Sequence, residues 1–279
     1  MKLAVLSGKG GTGKTFVSVN LAAAAVQSAY IDCDVEEPNG RLFLKPEKLT
    51  KQVVNTKLPV FDSEKCTGCR KCVDFCRFNA LVYVKDKPMV FPEVCHSCGG
   101  CVLVCPTGAI SETDKPVGVV ECGQNGDIRV VTGCMNLGEA ISTPIIKAAL
   151  AQAGEADGLT VIDCPPGSAC SVMESVQDAD YCLLVAEPTA FGLHNFKMVY
   201  ELVTLLQKPC GVIINKADDG YPALEGFCES NGIPVLCRIP YSEKLARLGA
   251  NGEIAALADR EYADLFQCLL ADIRKEAQL

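Results

Sequence analysis

Short apolar runs alternate with helical stretches along most of the chain. Residues 2–6, 160–163, 181–186, 211–215 and 235–239 are mostly apolar, as strands buried on both faces are. Residues 117–121 and 128–132 read as further strands, and residues 16–27 and 139–153 as helices. Helical stretches follow each of the last three apolar runs, and residues 262–279 close the chain with helical periodicity. Strands that alternate with helices need right-handed crossovers. The pattern therefore predicts an α/β fold, a doubly wound and mostly parallel sheet covered on both faces. Ligands of such sheets lie across the carboxyl ends of the strands.

One segment breaks the alternation. Its eight cysteines read Cys66-x2-Cys69-x2-Cys72-x3-Cys76 and then Cys95-x2-Cys98-x2-Cys101-x3-Cys105-Pro106. That spacing is the ligand pattern of a bacterial-type ferredoxin with two [4Fe–4S] clusters, in which the fourth cysteine of each run serves the other cluster. Cys66, Cys69, Cys72 and Cys105 are the expected ligands of cluster 1, and Cys95, Cys98, Cys101 and Cys76 those of cluster 2. The segment is also an internal repeat, since a shift of 29 maps Cys66 onto Cys95, Cys76 onto Cys105, Ala80 onto Ala109 and Leu81 onto Ile110. So small an α+β domain has little apolar core, and the clusters would staple it. Arg77 follows Cys76 where Pro106 follows Cys105, which changes a turn and no ligand. Structural zinc prefers two separated cysteine pairs per ion and fits the compact triplets poorly.

The first apolar run feeds Gly8-Lys9-Gly10-Gly11-Thr12-Gly13-Lys14-Thr15, a match to G-x-x-x-x-G-K-[ST] that opens the helix at 16–27. In such a loop backbone N–H groups point at phosphate oxygens. Lys14 would reach the β- and γ-phosphates and the Thr15 hydroxyl would ligate Mg²⁺. The helix end adds its positive pole.

With Lys9 in the loop, K-G-G-T-G-K-T resembles the deviant Walker A motif of the MinD/ParA/Mrp ATPases, relatives of the nitrogenase iron protein. Asp32-Cys33-Asp34 with Pro38-Asn39 resembles that family's first switch. Asp163-Cys164-Pro165-Pro166-Gly167 resembles its Walker B strand and second switch, and Asn215-Lys216-Ala217-Asp218 lies where the family reads the base. The resemblance covers residues 1–56 and 116–279, with residues 57–115 as an inserted ferredoxin-like domain. It implies a MinD-like P-loop ATPase that forms a homodimer on ATP. Lys9 would cross to the partner's nucleotide, Asp34 would orient the attacking water, and Asp163 would hold Mg²⁺ alongside Thr15 and Asp34. Asn215 would contact the nucleotide; N-K-x-D also reads guanine in many GTPases, so ATP follows from the family.

Composition narrows the rest. Eighteen cysteines and no secretory leader suit a reducing, cytoplasmic compartment. A net charge of −8 argues against a nucleic-acid face, and no apolar run approaches the roughly 20 residues of a membrane span. Residues 262–279 mix both charge signs and suit packing or a dimer surface better than a membrane anchor. With only His96 and His194 present, no Ser-His-Asp or zinc-hydrolase set can be built, and His96 reads as a neighbour of cluster 2. Of the ten other cysteines most read as small buried hydrophobes, while Cys33 and Cys164 stand inside the two switches.

Three functions fit these features: ATP-gated electron transfer to an unidentified redox partner, cluster assembly or delivery to an accepting protein, and MinD-like positioning with redox-sensing clusters. Mrp-type carriers use a Cys-x2-Cys pair late in the chain, and Cys228 and Cys237 are too far apart for that. Purified without oxygen, the protein is expected to carry about eight iron and about eight sulfide per chain. About four iron, or stoichiometric zinc, would contradict the two-cluster assignment.

Overall fold

The apolar runs pair as strands, and helices dock on both faces of the sheet they form. The computed structural model describes residues 1–85, 87–153, 158–217 and 221–277. In chain order the strands are β1 (Lys2–Ser7), β2 (Ser28–Asp32), β3 (Glu47–Phe61), β4 (Leu81–Val84), β5 (Lys87–Val90), β6 (Ile110–Asn125), β7 (Ile128–Met135), β8 (Leu159–Asp163), β9 (Tyr181–Ala186), β10 (Cys210–Ala217) and β11 (Val235–Pro240). The helices are α1 (Lys14–Ala24), α2 (Gly40–Leu44), α3 (Lys71–Phe75), α4 (Gly100–Leu103), α5 (Thr143–Ala151), α6 (Cys170–Val176), α7 (Ala190–Leu205), α8 (Ala223–Ser230), α9 (Glu243–Ala250), α10 (Ala255–Ala258) and α11 (Arg260–Glu276).

Among the described residues one sheet runs in the order β11-β10-β9-β1-β8-β2-β7-β6-β3. From β11 to β7 all neighbours are parallel, and β6 and β3 add an antiparallel ribbon at one edge. Alternate strand residues serve opposite faces. Leu3, Val5 and Val161 pack with Val17 and Leu21 of α1 and with Phe266 and Ile273 of α11. Ala4, Leu6 and Ile162 pack with Ile145 of α5, Val172 of α6 and Phe196 of α7. Burying one such Leu, Ile or Phe side chain fully is worth about 1.5–3 kcal/mol. The closing helix is thus a packing element, with residues 278 and 279 outside the described residues.

Several elements differ from expectation: the first helix runs Lys14–Ala24 instead of 16–27, and β3 had no counterpart in the pattern. The helix expected at 139–153 starts only at Thr143, because Pro144 occupies its first turn, where a missing N–H and a fixed φ are tolerated. Residues 136–142 remain a loop. The strand expected at 117–121 is the inner part of the 16-residue β6.

Gly118 of β6 pairs with Met135, the last residue of β7, so the ribbon leaves the sheet on the side where the parallel strands end. At that point the β3–β6 ladder slips: Val54 faces Gly118, Asn55 faces Pro116, and Val117 is the extra residue of a β-bulge. Beyond the bulge β3 and β6 run on as a pair to Phe61 and Ile110. The boundary expected after residue 56 falls within this ribbon, at the rung of Thr56 and Lys115.

The segment at the ribbon's end keeps the 29-residue repeat in its backbone. The β4–β5 pairing of Leu81 with Val90 is repeated by Ile110 with Phe61, and that of Val84 with Lys87 by Thr113 with Leu58. Three left-handed positions recur: Gly68 and Ser97 at φ 70° and 51°, Arg70 and Gly99 at 62° and 70°, Asn79 and Gly108 at 53° and 62°. The repeat therefore reaches beyond the cysteines, as Pro59 with Pro88 and Glu64 with Glu93 also indicate.

Candidate functional site

A cleft of about 940 Å³ opens at the carboxyl ends of the parallel strands. Gly10, Gly11, Gly13, Lys14 and Thr15 form one wall; Asp34, Glu36, Glu37 and Asn39 form a second. Pro165 and Pro166 close it from a third side, and Met135, Asn136, Leu137 and Gly138 rim it. Gly13 has φ 94°, and a Cβ there would lie 2.2 Å from Asn215 Nδ2, so both backbone and space demand glycine. α1 begins at once with Lys14, which points its free N–H groups at the loop. The expected Gly8–Thr15 residues thus form one loop, with Gly8 packed against the backbone of Asn195.

Beneath the loop lies a buried charge cluster. Lys14 Nζ is 2.6 Å from Asp163 Oδ1 and 3.6 Å from Asp34 Oδ2. Ser18 Oγ donates to Asp163 Oδ1 at 3.1 Å, and Tyr30 Oη donates to Asp163 Oδ2 at 2.8 Å. Asp32 accepts from the backbone N–H groups of Asp34 and Gly40. A Cβ at Gly40 would lie 2.1 Å from Tyr30 Oη, so glycine there makes room for the phenol. Burial, reinforced by the charge of Asp163, pushes the Asp32 carboxyl up to about 8. Burial also raises Asp34, against the pull of Lys14. Burial opposes the Lys14 charge, but Asp163, Asp34 and Asp32 together raise it above its ordinary value. These groups fit Mg²⁺ with a triphosphate. The phosphates would attract the lysine, and the cation would replace it as counter-charge to Asp163 and Asp34.

Three further side chains hold the loop; Asn215 and Lys216 belong to the N-K-x-D motif, whereas sequence spacing gave no signal for Glu187. Glu187, just beyond β9, accepts from Lys9 and from Lys216, each at 2.5 Å. Lys216 Nζ also reaches Gly11 O at 2.9 Å. Burial works against the Glu187 charge, but the two lysines hold it below the ordinary carboxylate range. Lys9 therefore lies against its own chain, 5.5 Å over the Phe191 ring. Asn215, buried, donates to Thr12 O at 2.7 Å and braces the loop from behind. Asp218, the last residue of its motif, lies outside the described residues.

The eight cysteines assemble in two sets. Cys76, Cys95, Cys98 and Cys101 line a cavity of about 150 Å³. Cys66, Cys69, Cys72 and Cys105 line a tighter one of about 20 Å³. Each takes three sulfurs from one loop and the fourth from the other half. Among the described residues no three Cys, His, Asp or Glu side chains converge on a point that one metal ion could occupy. Four soft thiols around a cavity suit an iron–sulfur group. The Cys105 sulfur also accepts from Ala109 N at 3.3 Å, the kind of N–H···S bond that tunes such groups. His96 lines the larger cavity and stacks on Phe78, ring centroids 3.7 Å apart.

The remaining cysteines divide. Cys33, Cys164, Cys182 and Cys228 are buried, and Cys122, Cys134, Cys210 and Cys237 are half-buried. Burial pushes the Cys33 and Cys164 thiols up, which makes both poor nucleophiles. Cys170 and Cys268 are exposed, unlike the small core residues expected.

The sequence profile of the CobQ/CobB/MinD/ParA nucleotide binding domain matches residues 3–255. An uncharacterized protein of Methanocaldococcus jannaschii is 28% identical over 261 residues, 91% of this chain and 90% of its own. An uncharacterized ferredoxin of the same organism is 40% identical over 55 residues, 18% of this chain and 71% of its own. An iron-sulfur cluster carrier protein of Pyrococcus abyssi is 25% identical over 264 residues, 87% of this chain and 75% of its own. The septum site-determining protein MinD of Pyrococcus horikoshii, solved with Mg-ADP, shares the fold at a TM-score of 0.61 and 19% identity, over 99% of this chain and 96% of that one.

Lys14→Ala is expected to abolish nucleotide binding by calorimetry. Because it also strands Asp163, fully buried, it should lower stability by about 3–5 kcal/mol. Lys9→Ala should keep nucleotide binding but lose turnover roughly a hundredfold. Normal turnover in Lys9→Ala would remove that lysine from the catalytic machinery.

Proposed function

The chain belongs to the CobQ/CobB/MinD/ParA nucleotide-binding family, and from that premise we propose an ATP-gated electron-transfer protein. In this reading the Gly8–Thr15 loop cradles the triphosphate, braced by Asn215. Thr15, Asp34 and Asp163 hold Mg²⁺, and Asp34 orients the attacking water. Lys9 leaves Glu187 and crosses to the partner's nucleotide as two copies close. The two sulfur sets hold [4Fe–4S] clusters, which would supply one-electron transfer at low potential.

The observation that carries the reading is a chain of contacts from the cleft to the sulfur-bearing segment. Next to Asp34, Val35 O accepts from Met135 N at 2.9 Å. Asn136, on the cleft rim, donates from its backbone to Val117 O and from its side chain to Pro116 O, at the ribbon's bulge. Glu139, in the same loop, accepts from Lys115 Nζ at 2.8 Å. Lys115 Nζ also donates to Pro92 O at 2.9 Å, three residues before Cys95. Closure that shifts Asp34 and its neighbours would therefore pull on the cluster-2 half.

Cluster delivery is the second reading, favoured by the likeness to the Pyrococcus abyssi carrier protein. Four thiols on each proposed cluster, drawn from both halves of the repeat, favour retention over release.

ATP should change the rate at which reduced clusters are reoxidised in the parent protein, roughly tenfold for a coupling of ordinary size. Lys115→Met should keep iron content and ATP hydrolysis but lose that effect. If ATP still acts in Lys115→Met, the contact path is not the route; if ATP has no effect in the parent, delivery gains.

A further inference from the structure

The 29-residue repeat provides an internal control, because its halves share backbone and proposed ligands but differ in surface. We propose that the end of the segment around Cys69, Arg70 and Lys71 is the docking surface for an acidic one-electron carrier protein. The proposal rests on the reading of Cys66, Cys69, Cys72 and Cys105 as a cluster site.

Lys65, Arg70, Lys71, Asp74 and Arg77 of the first half stand where the second has Val94, Gly99, Gly100, Leu103 and Pro106. All five first-half side chains are exposed; with half-buried Asp62, which stands where the second half has Phe91, they make four cations against two anions at positions where the second half carries no charge. Arg70 and Lys71 line the first sulfur cavity, and no acidic side chain lines it with them. The second cavity mixes Lys57 and Arg77 with Glu112, and Lys57 is paired with Asp114 at 2.7 Å. Lys65 is paired with Asp62 at 3.2 Å, which leaves Arg70 and Lys71 as the core of the cationic face.

Arg70 occupies its position at a cost. Its φ of 62° lies in the left-handed region, where a residue with a side chain loses about 1–2 kcal/mol relative to the right-handed form. Gly99 adopts the same conformation in the other half without that penalty. The Arg70 guanidinium lies 5.4 Å over the Tyr83 ring, and an exposed contact of that kind returns about 0.5–1 kcal/mol. The stacking offsets part of that backbone cost. It fixes a cation beside the exposed Cys69.

Position and field agree with docking. The first cavity lies at the outer end of the ribbon, against Phe61 and Ile110. The second lies inward, against Pro59 and Glu112. Residues 57–115 hold eight Lys and Arg against seven Asp and Glu, whereas the whole chain carries −8. An acidic partner is thus repelled by the body and steered to the outer end. One electron then passes between partner and site, one being oxidised and the other reduced by one electron.

The test uses flavodoxin as the acidic probe. Oxidised flavodoxin is titrated into anaerobically purified protein at low and high ionic strength, with iron and sulfide assayed in each sample. Lys71→Glu and Arg70→Gln should each weaken binding roughly tenfold at low ionic strength, and high salt should erase the difference. Arg274→Gln on α11 should leave binding as it was. Lys71→Glu leaves the left-handed turn untouched, so it decides the matter should Arg70→Gln lose iron. Binding indifferent to both substitutions overturns the docking surface, even with full iron. Protein that binds flavodoxin as expected but holds no iron overturns the cluster reading and leaves the surface standing.

Discussion

The Lys115 ammonium sits between Glu139, in the loop that follows the cleft rim, and a carbonyl of the cysteine-bearing segment. In the proposed function, coupling between the cleft and the segment would run through it and through the ribbon that places it. Its ion pair with Glu139 is only 20% and 15% exposed on the two sides, so solvent screens it less than an open surface pair. A lone two-stranded ribbon is marginal in water. Here Asn136 bonds it at the bulge and Lys115 bonds it one step further out. The ribbon is therefore held at its base, and in the proposed function displacement of the rim loop would reach the segment through these bonds.

The cleft has a matching logic of charge. Three aspartates converge on one buried lysine at the floor of the cleft; burial, with the neighbouring carboxylates, raises Asp32 and Asp34, and the carboxylates hold Lys14 charged. Such a cluster is poised to exchange partners. A magnesium nucleotide would offer the lysine phosphate and the aspartates a metal, so binding would relieve the crowding of like charges. Asp34 is the carboxylate with most solvent access and adjoins Val35, whose carbonyl holds the rim loop. Exchange at the charge cluster is thereby tied to the loop that carries Glu139.

Much of this was legible from the chain. Buried strands announce themselves because both faces need apolar side chains, and 181–186 falls on β9 without an offset. The phosphate loop and the crossed sulfur sets are legible because their chemistry fixes spacing. Glu139, Lys115 and Glu187 are single residues that meet partners far along the chain, and no spacing rule marks them. β3 was hidden because Val54 is the only side chain buried between Glu47 and Leu58, so the ribbon has no apolar face to read. The helix start at Thr143 was decided by Pro144 over the periodicity of the preceding residues. Asn215 was legible as a polar residue at a strand end, but its bond to Thr12 O depends on the close approach that Gly13 permits.

Amide hydrogen exchange, without oxygen and with or without a non-hydrolysable ATP analogue, would show whether cleft closure moves the cysteine-bearing segment. Coupling through Lys115 and the ribbon predicts altered protection at residues 136–142 and 91–98, besides the changes in the loop and switches. Changes confined to residues 8–15, 32–39 and 163–170 would contradict it, because the cleft would then close without moving the segment that carries the cysteines.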